Sequence, residues 1–68
     1  MIYKLESEYI ELFKLLKLLD LVDTGGQAKM IVAEGYVKRN GEVETRKRAK
    51  IIAGDLLVVG DDVTIEVV

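Results

Sequence analysis

The 68-residue chain contains no cysteine, no histidine, no proline and no tryptophan. The missing cysteine excludes disulfides, thiolate metal sites and thiol nucleophiles together. The missing histidine removes the usual general base near neutral pH and a common metal ligand. No other nucleophile stands beside a recognisable base or orienting group, so an enzyme is the weakest reading and no cofactor is expected. Aromatic residues are few, three tyrosines and one phenylalanine. Long apolar runs are missing too. Ile10–Val22 is broken by Glu11, Lys14, Lys17 and Asp20, and it is shorter than the roughly 20 apolar residues that span a bilayer. The opening MIYKLESEY lacks the basic flank, apolar run and cleavage site of a signal peptide. These absences predict one small cytoplasmic domain over residues 1–68, with no membrane and no small-molecule substrate among its partners.

What is present is a core and an uneven charge. Half of the residues are hydrophobic, enough for a small chain to form a core without staples. The net charge is −2, yet Thr24–Lys50 holds Lys29, Lys38, Arg39, Arg46, Lys47, Arg48 and Lys50 against Glu34, Glu42 and Glu44. That stretch carries +4, which leaves −6 for the remainder. A positive face on a neutral-to-acidic body is the footprint expected for binding a phosphate backbone. Tyr36 is the only aromatic in the stretch, which argues against base-by-base stacking of a long single strand.

Local signals predict the elements. Ile2–Leu5 reads as a short edge strand. Ser7 or Glu8 opens a first helix, with Glu11 in its early turns, where negative charge is favoured. Leu12, Leu16 and Leu19 share one face of that helix, with Phe13 beside them. Thr24 and Gln27 form a capping-box pattern that starts a second helix, and Gly35 ends it. Asn40-Gly41 is a strong two-residue hairpin signal, with Val37 and Val43 read as inward and Lys38 and Glu42 as outward. Ile51-Ile52, Leu56–Val59 and Val63–Val68 supply further strands. Gly54-Asp55 and Gly60–Asp62 read as turns, the latter in preference to a metal site. The fold class is α+β, two N-terminal helices packed on a small antiparallel sheet of short strands.

The order Thr24, Ala28-Lys29, Val32, Gly35, Val37, Asn40-Gly41, Lys50 and Gly54-Asp55 resembles the S-four-type RNA-binding domain, the αL motif. The strings GGQAKMIVAEG and VETRKRAKIIAG are similar to its small stand-alone bacterial group, the YbcJ/YaaA-like proteins. The resemblance covers about Leu12 to Val68. It implies two helices on an antiparallel sheet, with structured RNA gripped by the second helix and the adjoining hairpin. It also implies ribosomal RNA or a ribosome assembly intermediate as target, with a ribosomal or assembly-factor protein as a further partner.

By position the implied contact set is Thr24, Lys29, Lys38, Arg46, Lys47, Arg48 and Lys50, with Gly25 and Arg39 beside them. Two positions depart from the wider superfamily. Gly25 stands where arginine is common, and Arg39 where an apolar strand residue is usual, either bending the strand or adding charge to the RNA face. The residue types suit phosphate. A helix start presents free N–H groups, so Gly25-Gly26 offers a close approach or, equally, a plain loop. Arg46 and Arg48 alternate, so on an extended segment they point one way and Lys47 the other. The arginine fork fits phosphate oxygens in pairs. The bland alternative is a solvated basic run. The competing class is a protein-interaction domain that docks an acidic partner or accepts a partner strand.

Overall fold

The computed structural model describes residues 1–68, in the order β1 (Ile2–Tyr3), β2 (Ile10–Glu11), α1 (Leu12–Leu18), α2 (Gly25–Ala33), β3 (Val37–Arg39), β4 (Glu42–Val43), β5 (Lys50–Ile51), β6 (Leu56–Val59) and β7 (Val63–Val67). Strands come first, so the helices are not N-terminal as expected.

Helix α2 is set by its own residues. The Gln27 N–H donates to Thr24 Oγ1 at 3.1 Å, and Gln27 Oε1 accepts the Asp23 N–H at 2.8 Å. One donor that the helix start leaves open, the Gln27 N–H, is thereby satisfied, and the Asp23 N–H just before the cap is tied to the same turn. At the other end Gly35 takes a φ of 83°. The N–H groups of Gly35 and Tyr36 donate to the carbonyls of Val32 and Ile31, the paired bonds of a Schellman close.

Helix α1 is set by distant residues instead. It starts at Leu12, not at Ser7 or Glu8, because Ile10 and Glu11 are extended and pair antiparallel with Ile51 and Lys50. The Leu12 and Phe13 N–H groups donate to the carbonyls of Ala49 and Lys47, both at 3.0 Å. Glu11 occupies the N-cap position without a side-chain cap bond. At the far end the Asp20 and Leu21 N–H groups donate to the Lys17 and Leu16 carbonyls. Asp20 takes a φ of 58°, the left-handed position that glycine usually fills.

The main sheet has the order β1-β7-β6-β3-β4, and β2 pairs separately with β5. Pairs β3–β4, β3–β6 and β6–β7 are antiparallel. Strand β1 instead runs parallel to β7, Ile2 opposite Glu66 and Tyr3 opposite Val67, so the sheet is mixed rather than antiparallel. An edge strand offers a row of open backbone groups, and β1 covers those of β7. The Glu66 and Val68 N–H groups donate to the carbonyls of Met1 and Tyr3.

The Asn40-Gly41 turn forms as expected, with φ of 53° and 89°, the two positive values of a type I′ hairpin. Its register places Lys38 opposite Val43 and Arg39 opposite Glu42. Cross-strand partners share a face, so Val43 points outward with Lys38 and is 54% exposed. This corrects the inward reading of Val43. Glu44 takes the inner position, its N–H donating to the Val37 carbonyl. The core joins Leu12, Leu15 and Leu16 of α1, Ala28 and Val32 of α2, and Val37, Ile51, Leu57, Ile65 and Val67 of the strands. No helix is long and apolar enough to cross a membrane.

Candidate nucleic-acid interface

Phe13 sits one position past Leu12 on α1, off the core stripe and half-buried on the flank toward α2. Three cations surround its ring. Lys29 Nζ from α2 lies 5.0 Å from the centroid, Arg48 Cζ 5.6 Å and Lys14 Nζ 5.9 Å. These are cation–π distances. Gly25 abuts the same ring, and a Cβ there would stand 4.0 Å from Phe13 Cδ2. Glu11 reaches the cluster from β2, with Oε1 2.9 Å from Lys14 Nζ and Oε2 3.6 Å from Arg48 Nη1. The Lys14 hydrogen bond holds the Glu11 carboxyl below its usual range against the opposing effect of burial, helped by the Lys14 and Arg48 charges. Nearby, Lys50 Nζ lies 4.9 Å from the Tyr9 ring centroid.

A second charged group adjoins the first. Asp55 is 7% exposed, and its carboxylate accepts bonds from Arg39 Nε at 3.1 Å, Arg39 Nη2 at 2.8 Å, Asn40 Nδ2 at 2.9 Å and the Ile52 N–H at 2.9 Å. Burial alone would push the Asp55 carboxyl up, but the bonds from Ile52, Asn40 and Arg39 hold it below its ordinary value. Arg39 Nη2 also donates to the Lys50 carbonyl at 2.7 Å, and Nη1 lies 3.6 Å from Glu44 Oε1. Glu44 accepts a two-pronged fork from Arg46, Nε to Oε2 and Nη2 to Oε1, both 3.0 Å. That fork is the main reason the Glu44 carboxyl lies below its usual range.

These contacts sort the residues singled out from the sequence. Arg46, Arg48 and Lys50 line one concavity with Arg39 and Ala49, and Lys29 joins Arg48 at Phe13. The segment holding them is not extended. The Ala49 N–H donates to the Arg46 carbonyl, closing a turn at Lys47-Arg48, so strand-like alternation does not describe it. Lys47 is exposed at that turn. Thr24 is exposed, with its hydroxyl engaged in capping. Arg39 neither bends away nor projects freely; it cross-braces β3 to the turn before β6 and to β5. Lys38 lies on the opposite sheet face from Arg39 and lines a separate depression with Tyr36, Val58, Gly60 and Asp61.

Sequence reasoning missed Phe13, Lys14 and Glu11 as neighbours of the basic run, because pairing of β2 with β5 brings them there. It also read Asp55 only as a turn residue. An inward arginine at position 39 demands a buried acid, and that was the available signal.

Comparison with known proteins agrees with this architecture. A family model described as the S4 domain matches residues 3–68. YbcJ of Escherichia coli (strain K12), which carries a provisional RNA-binding name, is 56% identical over 46 residues, 68% of this chain and 66% of that protein. The match therefore spans slightly less than two thirds of that relative. RlbA of Bacillus subtilis (strain 168), provisionally named a ribosome maturation protein, is 34% identical over 55 residues, 81% of this chain and 78% of the other. The solution structure of Escherichia coli YbcJ, described as revealing an αL motif involved in RNA binding, superposes with a TM-score of 0.68 at 43% identity, covering 96% of this chain and 85% of that one. With its two helices on a small mixed sheet and a family match over nearly all of its length, the chain belongs to the S4 domain family.

Proposed function

We propose that this chain is a non-catalytic RNA-binding module of the cytoplasm that holds structured RNA, either ribosomal RNA or a ribosome assembly intermediate. The observation that carries the reading is the gathering of Lys29, Arg48 and Lys14 around one ring, beside a concavity lined by Arg46 and Lys50. Cations from three separate segments converge there with fewer carboxylates than charges to neutralise. The names of YbcJ and RlbA support RNA and the ribosome as the setting. In this reading Lys29, Arg46, Lys47, Arg48 and Lys50 meet phosphates, with Lys14 held by Glu11 beside them. Gly25 leaves room beside Phe13, Thr24 and Arg39 hold the frame, and Lys38 lies outside the contact face. Arginine forks at phosphates read shape more than sequence.

The test is fluorescence-anisotropy titration with a structured ribosomal RNA hairpin across a salt series, with duplex DNA of equal length as control. Neutralising about four to six phosphates gives a log–log salt slope of roughly −3 to −5. The double variant Lys29→Gln/Arg48→Gln weakens binding and makes the slope shallower by about 1 to 2, without loss of the folded circular-dichroism spectrum. Failure to bind RNA at low salt would overturn the reading and direct attention to an acidic protein partner.

A further inference from the structure

We propose that Glu11 is a built-in competitor for RNA phosphate. Its carboxylate occupies the anion position of the Phe13 cluster, and RNA takes Arg48 away from it. The proposal rests on the RNA-binding reading above and adds how that site is tuned.

Three cations within 6 Å of one ring centroid repel one another, and the arrangement is complete only with an anion among them. Glu11 is the anion present. Its two oxygens are divided between two cations, Oε1 on Lys14 and Oε2 toward Arg48, as phosphate oxygens bridge neighbouring basic side chains. Lys29 has no carboxylate partner. The layering is equally informative. The Glu11 side chain is 19% exposed, whereas those of Lys14 and Arg48 are 59% and 63% exposed. An incoming phosphate meets the cations first and the carboxylate behind them.

The backbone of Glu11 is pinned by its pairing with Lys50, and the Leu12 N–H that follows is bonded to Ala49. The carboxylate therefore cannot leave with the chain. Arg48 holds Glu11 at 3.6 Å and Lys14 holds it at 2.9 Å, so Arg48 is the looser partner and the one free to transfer. Once Arg48 has moved to RNA, Glu11 is short of one counter-charge. It takes up a cation from solution, which offsets about one of the counterions that the RNA releases.

The experiment measures binding of the same ribosomal RNA hairpin, across a salt series, to the wild type, Glu11→Gln, Arg48→Gln and Glu11→Gln/Arg48→Gln. Glu66→Gln on the outer sheet face serves as a control for net charge, and thermal melts confirm that each variant is folded. Glu11→Gln binds roughly twofold to fivefold more tightly at low salt, the worth of one exposed ion pair. Its salt slope is steeper by about 0.7 to 0.9. The gain disappears in the Arg48→Gln background, which long-range charge repulsion would not cause. Unchanged affinity in Glu11→Gln, with the wild type binding normally, overturns the proposal and leaves the RNA-binding reading intact. An equal gain in Glu66→Gln overturns it too, because the effect is then one of net charge. If no variant binds RNA, the proposal falls together with the reading beneath it.

Discussion

Arg39 and Asp55 are 16 residues apart in sequence and share two hydrogen bonds. Their pairing decides what an arginine is doing on the inner face of a strand. Its register partner is Leu57, a core residue, so the guanidinium has to find acids at the end of the sheet. Removing one member of a buried pair strands the other's charge, at about 3–5 kcal/mol. Asp55→Ala leaves Arg39 with Glu44 at 3.6 Å and the Lys50 carbonyl at 2.7 Å, so the expected loss in urea unfolding is smaller, about 1–3 kcal/mol. The same carboxylates set the acid limit. Asp55 and Glu44 are both lowered by the native structure, so the unfolded chain takes up protons first as pH falls. The stability they add is full above their ordinary range near pH 4 and is lost as pH falls through their lower native values. Thermal melts should be flat from pH 7 to 5 and drop steeply toward pH 3. Arg39→Leu/Asp55→Leu, lacking both charges, should drop less steeply. Asp20, by contrast, sits at φ 58° with glycine absent. Asp20→Gly should raise stability by about 0.5–1 kcal/mol.

The elements differ in how much of each is written locally. Helix α2 and the β3–β4 hairpin were legible because Thr24, Gln27, Gly35 and Asn40-Gly41 each satisfy or bend the backbone within a few residues of themselves. Gly41→Ala tests the hairpin. A Cβ there meets nothing within 4 Å, so the cost is the left-handed conformation alone, about 1–2 kcal/mol, read by thermal melting. The start of α1, strand β2 and the parallel partner of β1 were not legible in this way. Their backbone partners are Lys47, Ala49, Ile51, Glu66 and Val68, and no neighbouring residue reports that. The inward placement of Val43 failed for a different reason. A two-residue turn fixes which residues face each other, and counting back from Asn40-Gly41 places Val43 with Lys38. The basic residues themselves were visible. Their sorting into those at Phe13, those tied to Glu44 and Asp55, and Lys38 on the far face needed the register.

Across the whole molecule, charge is segregated. Net charge −2 and an isoelectric point near 5.0 describe an acidic protein, yet Thr24–Lys50 carries +4. Local potential, not net charge, governs contact with a polyanion. Retention on heparin–agarose at pH 7.5, above the isoelectric point, is therefore expected, and Lys29→Gln/Arg48→Gln should elute at lower salt. Elution of the wild type in the void volume would contradict this distribution. The turn that carries Arg46, Lys47 and Arg48 also has a second duty, since its carbonyls at Lys47 and Ala49 receive the first N–H groups of α1. A basic tail could grow or shrink without harm to a fold, but this one is measured. Substitution of Arg46, Lys47 or Arg48 leaves those backbone bonds in place, whereas a single inserted residue would unseat a helix 34 positions away. The segment's length is fixed by a helix to which it does not belong.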